Sequence, residues 1–384
     1  MTTSADAPRP APATPSRLAS AAPVSASQSP KISVPESAAS AAVNPSRAPE
    51  LKASASETLA DLSEGAVLAR IFPRLPTAAA ELLGPGDDAA VISAPDGRFV
   101  VTTDMMIQGP DFRLAWSTPH DLGWKAAATN LSDVAAMGAR PTALVVAIAA
   151  PPSTPVSVLE GIADGLRDCC EALAPGCGVV GGDLSASDAL TLAVTAFGDL
   201  EGRAPVVRSG ARPGDTVALS GRLGDAGVGL ELLFRLGVDD DGVPNLARAN
   251  ALKLTHPAEV AAQLTPVPPI TSGPIAAVAG ATAMLDVSDG LAIDAGRIAR
   301  ASGVAIDFDS ACLGDRIEVA LGGGEDHGLL ATFGPDTALP RGFRRLGIVT
   351  AASIALPAGS ITVDGAPHDQ GGWDPYRGWD GSAG

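Results

Sequence analysis

Carboxylates at the ends of predicted elements or beside glycine are the residues of this chain whose types and spacing could do chemistry. They occur in six short segments, namely GPGDDAAV, TTDM, NLSD, GGD, LDVSDG and GGGED. Unpaired buried carboxylates are costly, and the basic residues are too distant in sequence to neutralise these locally, so divalent cations are their natural partners. Mg²⁺ prefers such oxygen ligands, and the pattern therefore indicates metal-assisted phosphoryl chemistry.

Simpler interpretations exist for single segments. Asp87 and Asp88 follow Gly-Pro-Gly and precede an apolar run, which is also the pattern of an ordinary tight turn. Asp133 shares a helical face with Lys125 and Thr129, and a solvated polar face would explain that stripe taken alone. Six such segments in one chain are harder to attribute to turns and surfaces.

The common motifs of nucleotide enzymes are missing. The chain has no GxxxxGK[ST] loop, no HRD or DFG motif, and no GxGxxG that opens a helix after the first strand. It has four histidines without an HExxH motif, and no Cys-His or Ser-His grouping stands out. An ATP-dependent enzyme with this sequence would belong to none of the common architectures.

Composition argues against several classes of protein. A formal net charge of −17 over 384 residues disfavours nucleic acid as a partner, because phosphate binding requires a basic face. The longest apolar run, ALVVAIAA at 143–150, falls short of the roughly 20 residues that span a bilayer, so no membrane association is expected. The four cysteines show neither disulfide nor metal spacing, which predicts reduced thiols in a cytoplasmic protein.

The chain divides into a tail and two globular parts. Residues 1–55 are rich in Ala, Pro and Ser, which predicts a disordered tail. From residue 56, strand and helix patterns alternate, and a turn-rich join at 201–216 separates two series of comparable size. We therefore expect an α/β fold (α+β mixed), with an N-terminal domain at 56–203 and a C-terminal domain at 204–384.

Individual elements follow from periodicity and capping signals. A helix is predicted to begin at Pro119, because Thr118 suits the N-cap and Asp121 the capping-box position. The remaining helices are expected at 154–174, 224–236, 244–254 and 290–302, the strands at 98–107, 142–150, 216–220, 303–309 and 327–333, and a helix-strand pair at 273–287.

Seven ordered blocks resemble the thiamine-monophosphate kinases of the aminoimidazole ribonucleotide synthetase-like superfamily. The blocks are GPGDDAAVI, VTTDMMIQG, DLGWKAAATNLSDVAAMGARP, VGGDLS, VVRSGARPGD, LDVSDGL and LGGGEDHGLL, and the resemblance spans about residues 56–376. It implies a two-domain aminoimidazole ribonucleotide synthetase-like fold whose N-terminal domains pair through their sheets in a homodimer. It also implies that ATP converts thiamine monophosphate to thiamine diphosphate with the help of several Mg²⁺ ions.

The resemblance carries site roles onto particular residues of this chain. The implied metal-binding residues are Asp88, Thr102, Thr103, Asp104, Asp133, Asp183, Asp286 and Asp289. Gly182, Asp183, Arg208 and Ser288 would lie along the ATP phosphates, and Glu325 and Trp373 would face thiamine. In this interpretation Asp88 directs its carboxylate to metal, and Asp87 completes the turn.

The expected chemistry is direct in-line transfer of the γ-phosphoryl group. The nucleophile is a phosphate oxygen of thiamine monophosphate, which is ionised near neutral pH, so no strong general base is required. We expect no covalent intermediate, because no nucleophilic side chain stands out among the motifs.

Two departures from the family pattern bear on substrate binding. Asp111 in GPDFR, a candidate substrate-binding residue, stands where the family usually has histidine. It either faces the cationic thiazolium or aminopyrimidine of thiamine or, as we expect, pairs with Arg113 and acts on the substrate indirectly. Between IDFDSA and LGGGED only CLGDRIEVA intervenes, which is shorter than usual and leaves the shape of the thiamine pocket open.

Two alternatives stay open. One is another ATP-using enzyme of the same superfamily, such as selenophosphate synthetase or the hydrogenase-maturation dehydratase. The early Cys usual in the first and the Cys-containing tail of the second are both missing here. The other alternative is a non-catalytic nucleotide-binding relative.

Overall fold

A computed structural model describes residues 57–85 and 89–368. Within these ranges it contains ten α-helices and thirteen strands, together with 3₁₀ turns at Leu59–Asp61 and Phe72–Arg74. The helices are α1 (Glu64–Ile71), α2 (Pro119–Ala136), α3 (Val156–Leu173), α4 (Asp225–Leu236), α5 (Leu246–Thr255), α6 (Pro257–Leu264), α7 (Ser272–Val278), α8 (Leu291–Ser302), α9 (Ser310–Leu313) and α10 (Ile317–Gly322). The strands are β1 (Glu81–Leu83), β2 (Val91–Ile92), β3 (Val100–Ile107), β4 (Arg140–Ala150), β5 (Gly178–Ala186), β6 (Thr191–Asp199), β7 (Thr216–Ser220), β8 (Ala281–Val287), β9 (Val304–Phe308), β10 (Gly328–Phe333), β11 (Phe343–Ala351), β12 (Ile361–Val363) and β13 (Ala366–Pro367).

Two sheets form the framework. The first has four strands in the order β3-β6-β4-β5, in which only β4 and β5 run parallel. The second has seven strands in the order β13-β12-β9-β11-β7-β10-β8, in which only β9 and β12 run parallel. The edge strands β3 and β8 each carry residues expected at the site, and β1 and β2 form a separate antiparallel pair.

The helix α2 lies in the interior. It contacts α3, the strands β3, β4 and β6 of the first sheet, and β8 and β10 of the second. Thirteen of its 18 residues are buried, so it has no continuous solvated face. Close packing on α3 requires glycine, because a Cβ at Gly123 would lie 2.0 Å from the Ile162 carbonyl oxygen and one at Gly165 would lie 2.1 Å from that of His120.

Most predicted elements are confirmed. The capping box of α2 is formed, with the Asp121 amide donating to Thr118 Oγ1 at 3.1 Å and the Thr118 amide donating to Asp121 Oδ2 at 2.9 Å. The strand at 216–220 is β7, and the helix expected at 290–302 is α8. The α/β (α+β mixed) fold class is confirmed, whereas the division into domains at 203/204 stays a prediction.

Some elements escaped the sequence patterns. α6 follows α5 after a single residue, and the nine-residue strand β11 was not anticipated. The shortened segment before Gly322 folds into the two short helices α9 and α10. No helix among the described residues combines the length and apolarity needed to cross a membrane.

Candidate active site

The edge strand β3 directs two of the expected side chains toward α2. Thr102 and Asp104 share one face of β3, because side chains two residues apart point the same way. The Thr102 hydroxyl donates to Asp133 Oδ2 at 2.8 Å. Thr103 points to the opposite face, where its hydroxyl donates to the Val194 carbonyl oxygen at 2.9 Å. The structure therefore brings Thr102, Asp104 and Asp133 together and turns the Thr103 side chain away.

The carboxylates gathered here oppose one another's ionisation. Burial, followed by the charges of Asp286 and Asp104, raises the pKa of Asp133 to about 7. Burial also raises the pKa of Asp104, and Asp286, Glu325 and Asp289 add to that effect. The helix stripe that a solvated face would have explained thus ends in a half-buried carboxylate among other carboxylates.

The end of β8 contributes the next group of acids. Asp286 is buried, and the amides of Ser288 and Asp289 both donate to Asp294 Oδ2 at 3.0 Å. Arg297 binds Asp289 Oδ2 at 2.6 Å and also pairs with Asp294. This network fixes the LDVSDG turn, and it places Ser288 and Asp289 beside Asp286.

The sequence analysis did not single out Asp294 and Arg297. Burial raises the pKa of Asp294 to about 6, against the hydrogen bond from the Asp289 backbone and the charge of Arg297. An acid four residues after the Gly290 turn, followed three residues later by Arg, was the only signal available in the sequence.

His327, directly after the GGGED loop, pairs with Asp286. His327 Nδ1 lies 3.0 Å from Asp286 Oδ2, and the His327 Nε2 atom is buried without a hydrogen-bond partner among the described residues. Burial favours the neutral imidazole, but the hydrogen bond and charge of Asp286 outweigh it and raise the pKa of His327. The loop is anchored by Asp326, whose oxygens accept from the amides of Gly224 at 2.5 Å and Ala226 at 3.0 Å.

Glu325 pairs with a buried lysine of α2. Lys125 Nζ lies 2.5 Å from Glu325 Oε2. Burial opposes ionisation of Glu325, but the charges of Lys125 and His327 outweigh it, so the pKa of Glu325 lies below its usual value. Lys125 was noticed in the sequence only as a member of the α2 stripe.

The Asp111 side chain is hydrogen-bonded to the end of β3. Its Oδ2 accepts from the Ile107 amide at 2.7 Å. Burial raises the pKa of Asp111, with a smaller raising effect from Glu325 and an opposing one from Lys125. The Arg113 guanidinium lies 4.6 Å from the ring centroids of Trp116 and Phe234. The Asp111 carboxylate is thus held by a backbone amide, and its expected pairing with Arg113 stays a prediction.

Gly182 and Asp183 lie on β5, in a different part of the first sheet. Both are exposed on β5, and Ser185 Oγ donates to Asp183 Oδ2 at 2.8 Å. They line a cavity of about 770 Å³ whose other walls are apolar residues of α1, α3 and β4, together with Pro85 and Ala89. Arg208 is exposed, and its carbonyl oxygen accepts from Ser302 Oγ at 3.1 Å. Asp88 and Trp373 lie outside the described residues.

The residues present fit a cation that is shared with phosphate and water. Among the described residues, no three His, Cys, Asp or Glu side chains converge closely enough to hold a metal ion by themselves. Mg²⁺ characteristically keeps several waters and uses only one or two carboxylates plus substrate phosphates. The carboxylates of Asp104, Asp133 and Asp286 repel one another, and such an ion would neutralise their negative charge.

Comparisons with known proteins identify the class. Residues 86–200 match the family described as AIR synthase related protein, N-terminal domain. The chain is 43% identical over 343 residues to the thiamine-monophosphate kinase of Mycobacterium tuberculosis, covering 85% of this chain and 94% of that protein. A solved thiamine-monophosphate kinase from Stenotrophomonas maltophilia K279a is 31% identical with a TM-score of 0.64, covering 79% of this chain and 96% of that one.

A further solved structure carries ligands. It is AaThiL complexed with AMPPCP and TMP, 32% identical with a TM-score of 0.61, covering 75% of this chain and 90% of that one. The fold is that of AIR synthase-related proteins. Within that class, the chain belongs to the thiamine-monophosphate kinase family.

The raised pKa of Asp133 predicts a pH-dependent effect of Asp133→Asn in metal-free protein. The unfolded carboxyl titrates at about 3.9, whereas in the folded protein its pKa is about 7. The folded state therefore holds the extra proton between these values, and rising pH lowers the stability of the parent protein. Asn does not ionise, so the variant escapes that loss.

Melting temperatures in EDTA measure this effect. The difference between Asp133→Asn and the parent should grow by about 2 °C or more between about pH 5 and about pH 7.5. Asp336→Asn, at an exposed position in the connection between β10 and β11, is the control. A difference that stays constant over this range would contradict the electrostatic account of Asp133.

Proposed function

We propose that this chain transfers the γ-phosphoryl group of ATP directly to thiamine monophosphate, giving thiamine diphosphate, with the help of several Mg²⁺ ions. The observation that carries the proposal is the meeting of Asp104, Asp133 and Asp286 from three elements in one half-buried place. The names of its relatives and the AaThiL complex with AMPPCP, an ATP analogue, and TMP support the choice of substrates.

Metal binding is proposed for the acids on β3, α2 and β5 and at the end of β8, for two threonines of β3, and for Asp88. The proposed residues are Asp88, Thr102, Thr103, Asp104, Asp133, Asp183, Asp286 and Asp289. Bound Mg²⁺ would neutralise the charge of the two polyanionic substrates and of the carboxylates around them. The Thr103 hydroxyl already donates to the Val194 carbonyl oxygen of β6.

The ATP site is proposed along β5. Gly182 and Asp183 line the 770 Å³ cavity, whose apolar walls suit a nucleobase while its polar rim suits phosphates. A Cβ at Gly182 would lie 2.0 Å from the Val146 carbonyl oxygen, so the close approach of β4 requires glycine here. Arg208 and Ser288 would complete the phosphate contacts, since a guanidinium fork matches phosphate oxygens.

The chemical step needs little from the protein beyond position and charge. The attacking atom is an ionised phosphate oxygen of the acceptor, and the leaving group is ADP, so no covalent enzyme intermediate is required. The four cysteines are free thiols, three of them buried, and none takes part in this scheme. Free thiols also agree with the proposed cytoplasmic location.

A homodimer is proposed through the edge strand β3. Val101 and Met105 on this strand are 56% and 58% exposed, and Phe99 beside it is 51% exposed. An apolar edge strand is a pairing surface that proteins normally cover. Sedimentation of the purified chain should show a dimer that Met105→Lys shifts toward monomer, and a monomeric parent at assay concentrations would oppose the proposal.

Product formation tests the proposed activity. The parent chain with Mg²⁺, ATP and thiamine monophosphate should form equimolar ADP and thiamine diphosphate. Asp183→Asn should lower turnover by at least about a hundredfold, because a proposed Mg²⁺ ligand beside the phosphates is lost while the exposed side chain contributes little to the fold. Absence of thiamine diphosphate with the parent chain would exclude this activity, and near-normal turnover of Asp183→Asn would exclude the role of Asp183.

Asp111→Ala tests whether Asp111 contacts the substrate. Because its carboxylate accepts from the Ile107 amide, we propose that it shapes the strand end and acts on thiamine monophosphate indirectly. Loss of one charge-assisted hydrogen bond to the substrate would raise the KM for thiamine monophosphate by about tenfold or more. We expect a change of less than about tenfold. Steady-state kinetics at saturating ATP measure this, and a much larger increase at unchanged kcat would make Asp111 a direct ligand.

A further inference from the structure

A partly buried ion pair links α2 to the loop before β10. Lys125 on α2 and Glu325 in the loop before β10 are 200 residues apart in sequence, yet Lys125 Nζ lies 2.5 Å from Glu325 Oε2. The Lys125 side chain is 8% exposed, whereas that of Glu325 is 39% exposed. A lysine buried to this extent requires a partner, because desolvation of an ammonium group is costly. The exposed member of the pair is therefore the carboxylate.

Gln263 on α6 holds Lys125 from the other side. With its amide oriented to satisfy its neighbours, its oxygen accepts from Lys125 Nζ at 3.1 Å and its nitrogen donates to the Ala226 carbonyl oxygen at 3.1 Å. Gln263 is itself buried. The ammonium group thus has two fixed acceptors and little freedom to move.

Glu325 is fixed at its backbone as well. Its φ of 68° lies in the left-handed region, and its amide donates to the Ser288 carbonyl oxygen at 2.8 Å. The neighbouring Asp326 anchors the loop to the start of α4. A non-glycine residue held at positive φ indicates that the surrounding contacts dictate its position. One carboxylate oxygen, Oε2, pairs with Lys125.

The charges around this carboxylate favour a cationic ligand. Asp111 and Glu325 are close enough to raise the pKa of Asp111, while Lys125 lowers it. Asp111 and Glu325 thus place two carboxyl groups near the single ammonium group of Lys125. His327, the other charged neighbour of Glu325, is hydrogen-bonded to Asp286. Thiamine carries a permanent positive charge on its thiazolium ring and amino donors on its pyrimidine.

We propose that Lys125 is a specificity-determining positioning residue, which acts through Glu325 to present a fixed carboxylate oxygen to the cationic ring part of the substrate. Lys125 does not contact the phosphate groups in this scheme. The inference rests on the proposed function, since it assigns the ring-binding half of that same site.

A double-mutant cycle separates action through Glu325 from direct contact. Lys125→Met should raise the KM for thiamine monophosphate by about tenfold or more, with kcat changed less than about threefold, because ring binding and not transfer is impaired. Glu325→Gln should have a similar effect. In the Glu325→Gln background, Lys125→Met should add less than about threefold, since residues that act through one another are not additive. Effects that multiply in the double variant would overturn the proposal.

Unphosphorylated thiamine provides the second test. Calorimetry should show that Lys125→Met weakens the binding of thiamine and of thiamine monophosphate by the same factor. Loss confined to thiamine monophosphate would show that Lys125 contacts phosphate and would overturn the proposal. If the parent chain forms no thiamine diphosphate at all, the proposed function fails first. An active parent with unaltered variants refutes only the role of Lys125.

Controls distinguish this role from a general loss of stability. Lys253→Met removes a comparable ion pair of α2, in which Lys253 Nζ lies 3.1 Å from Asp121 Oδ2. It should leave the KM for thiamine monophosphate and the binding of thiamine unchanged. If Lys125→Met does not fold, Gln263→Met loosens Lys125 without removing either charge. That variant should raise the KM for thiamine monophosphate and weaken thiamine binding by about threefold each. Unchanged values there would equally contradict the proposal.

Discussion

The repulsion between carboxylates gathered in one half-buried place is the constraint on which the rest of this structure depends. Asp104, Asp133 and Asp286 come from β3, α2 and β8, and each opposes the ionisation of Asp133 or Asp104. Hydrophobic burial alone would not select this arrangement, because separating the acids would lower the free energy of the metal-free fold. The proposed Mg²⁺, which would accompany the nucleotide phosphates, would supply the positive charge that offsets this repulsion.

The architecture around the acids holds them against that repulsion. α2 lies between the two sheets and packs on α3 through Gly123 and Gly165, so its polar stripe cannot turn toward solvent. Capping networks fix the loops that carry the remaining groups, with Asp294 holding the turn after β8 and Asp326 holding the loop before β10. Rigid support of this kind allows an unfavourable local charge to be tolerated by the rest of the fold.

Sequence patterns predicted the acids better than their partners. Asp133, Asp286 and Asp104 stand out because carboxylates in apolar surroundings are rare, and α2 was correctly started at Pro119 because capping signals are local. Lys125 and His327 could not be assigned, since they meet their partners across 200 and 41 residues of sequence. Arg297 pairs locally with Asp294 and Asp289, but its spacing alone gave no functional signal. The hydrogen bond from the Ile107 amide to Asp111 was not anticipated, although it joins residues only four positions apart. β11 was missed because its glycine and arginines obscure the strand pattern.

The melting temperature of the metal-free chain, measured on addition of Mg²⁺ and of NaCl at equal ionic strength without nucleotide, tests the repulsion most directly. If the acids form a site that requires a divalent cation, millimolar Mg²⁺ should raise the melting temperature well beyond the effect of NaCl. The extra increase should shrink when Asp133 and Asp286 are both replaced by Asn. Equal effects of Mg²⁺ and NaCl on the parent chain would show that the carboxylates are only screened, and would contradict the account.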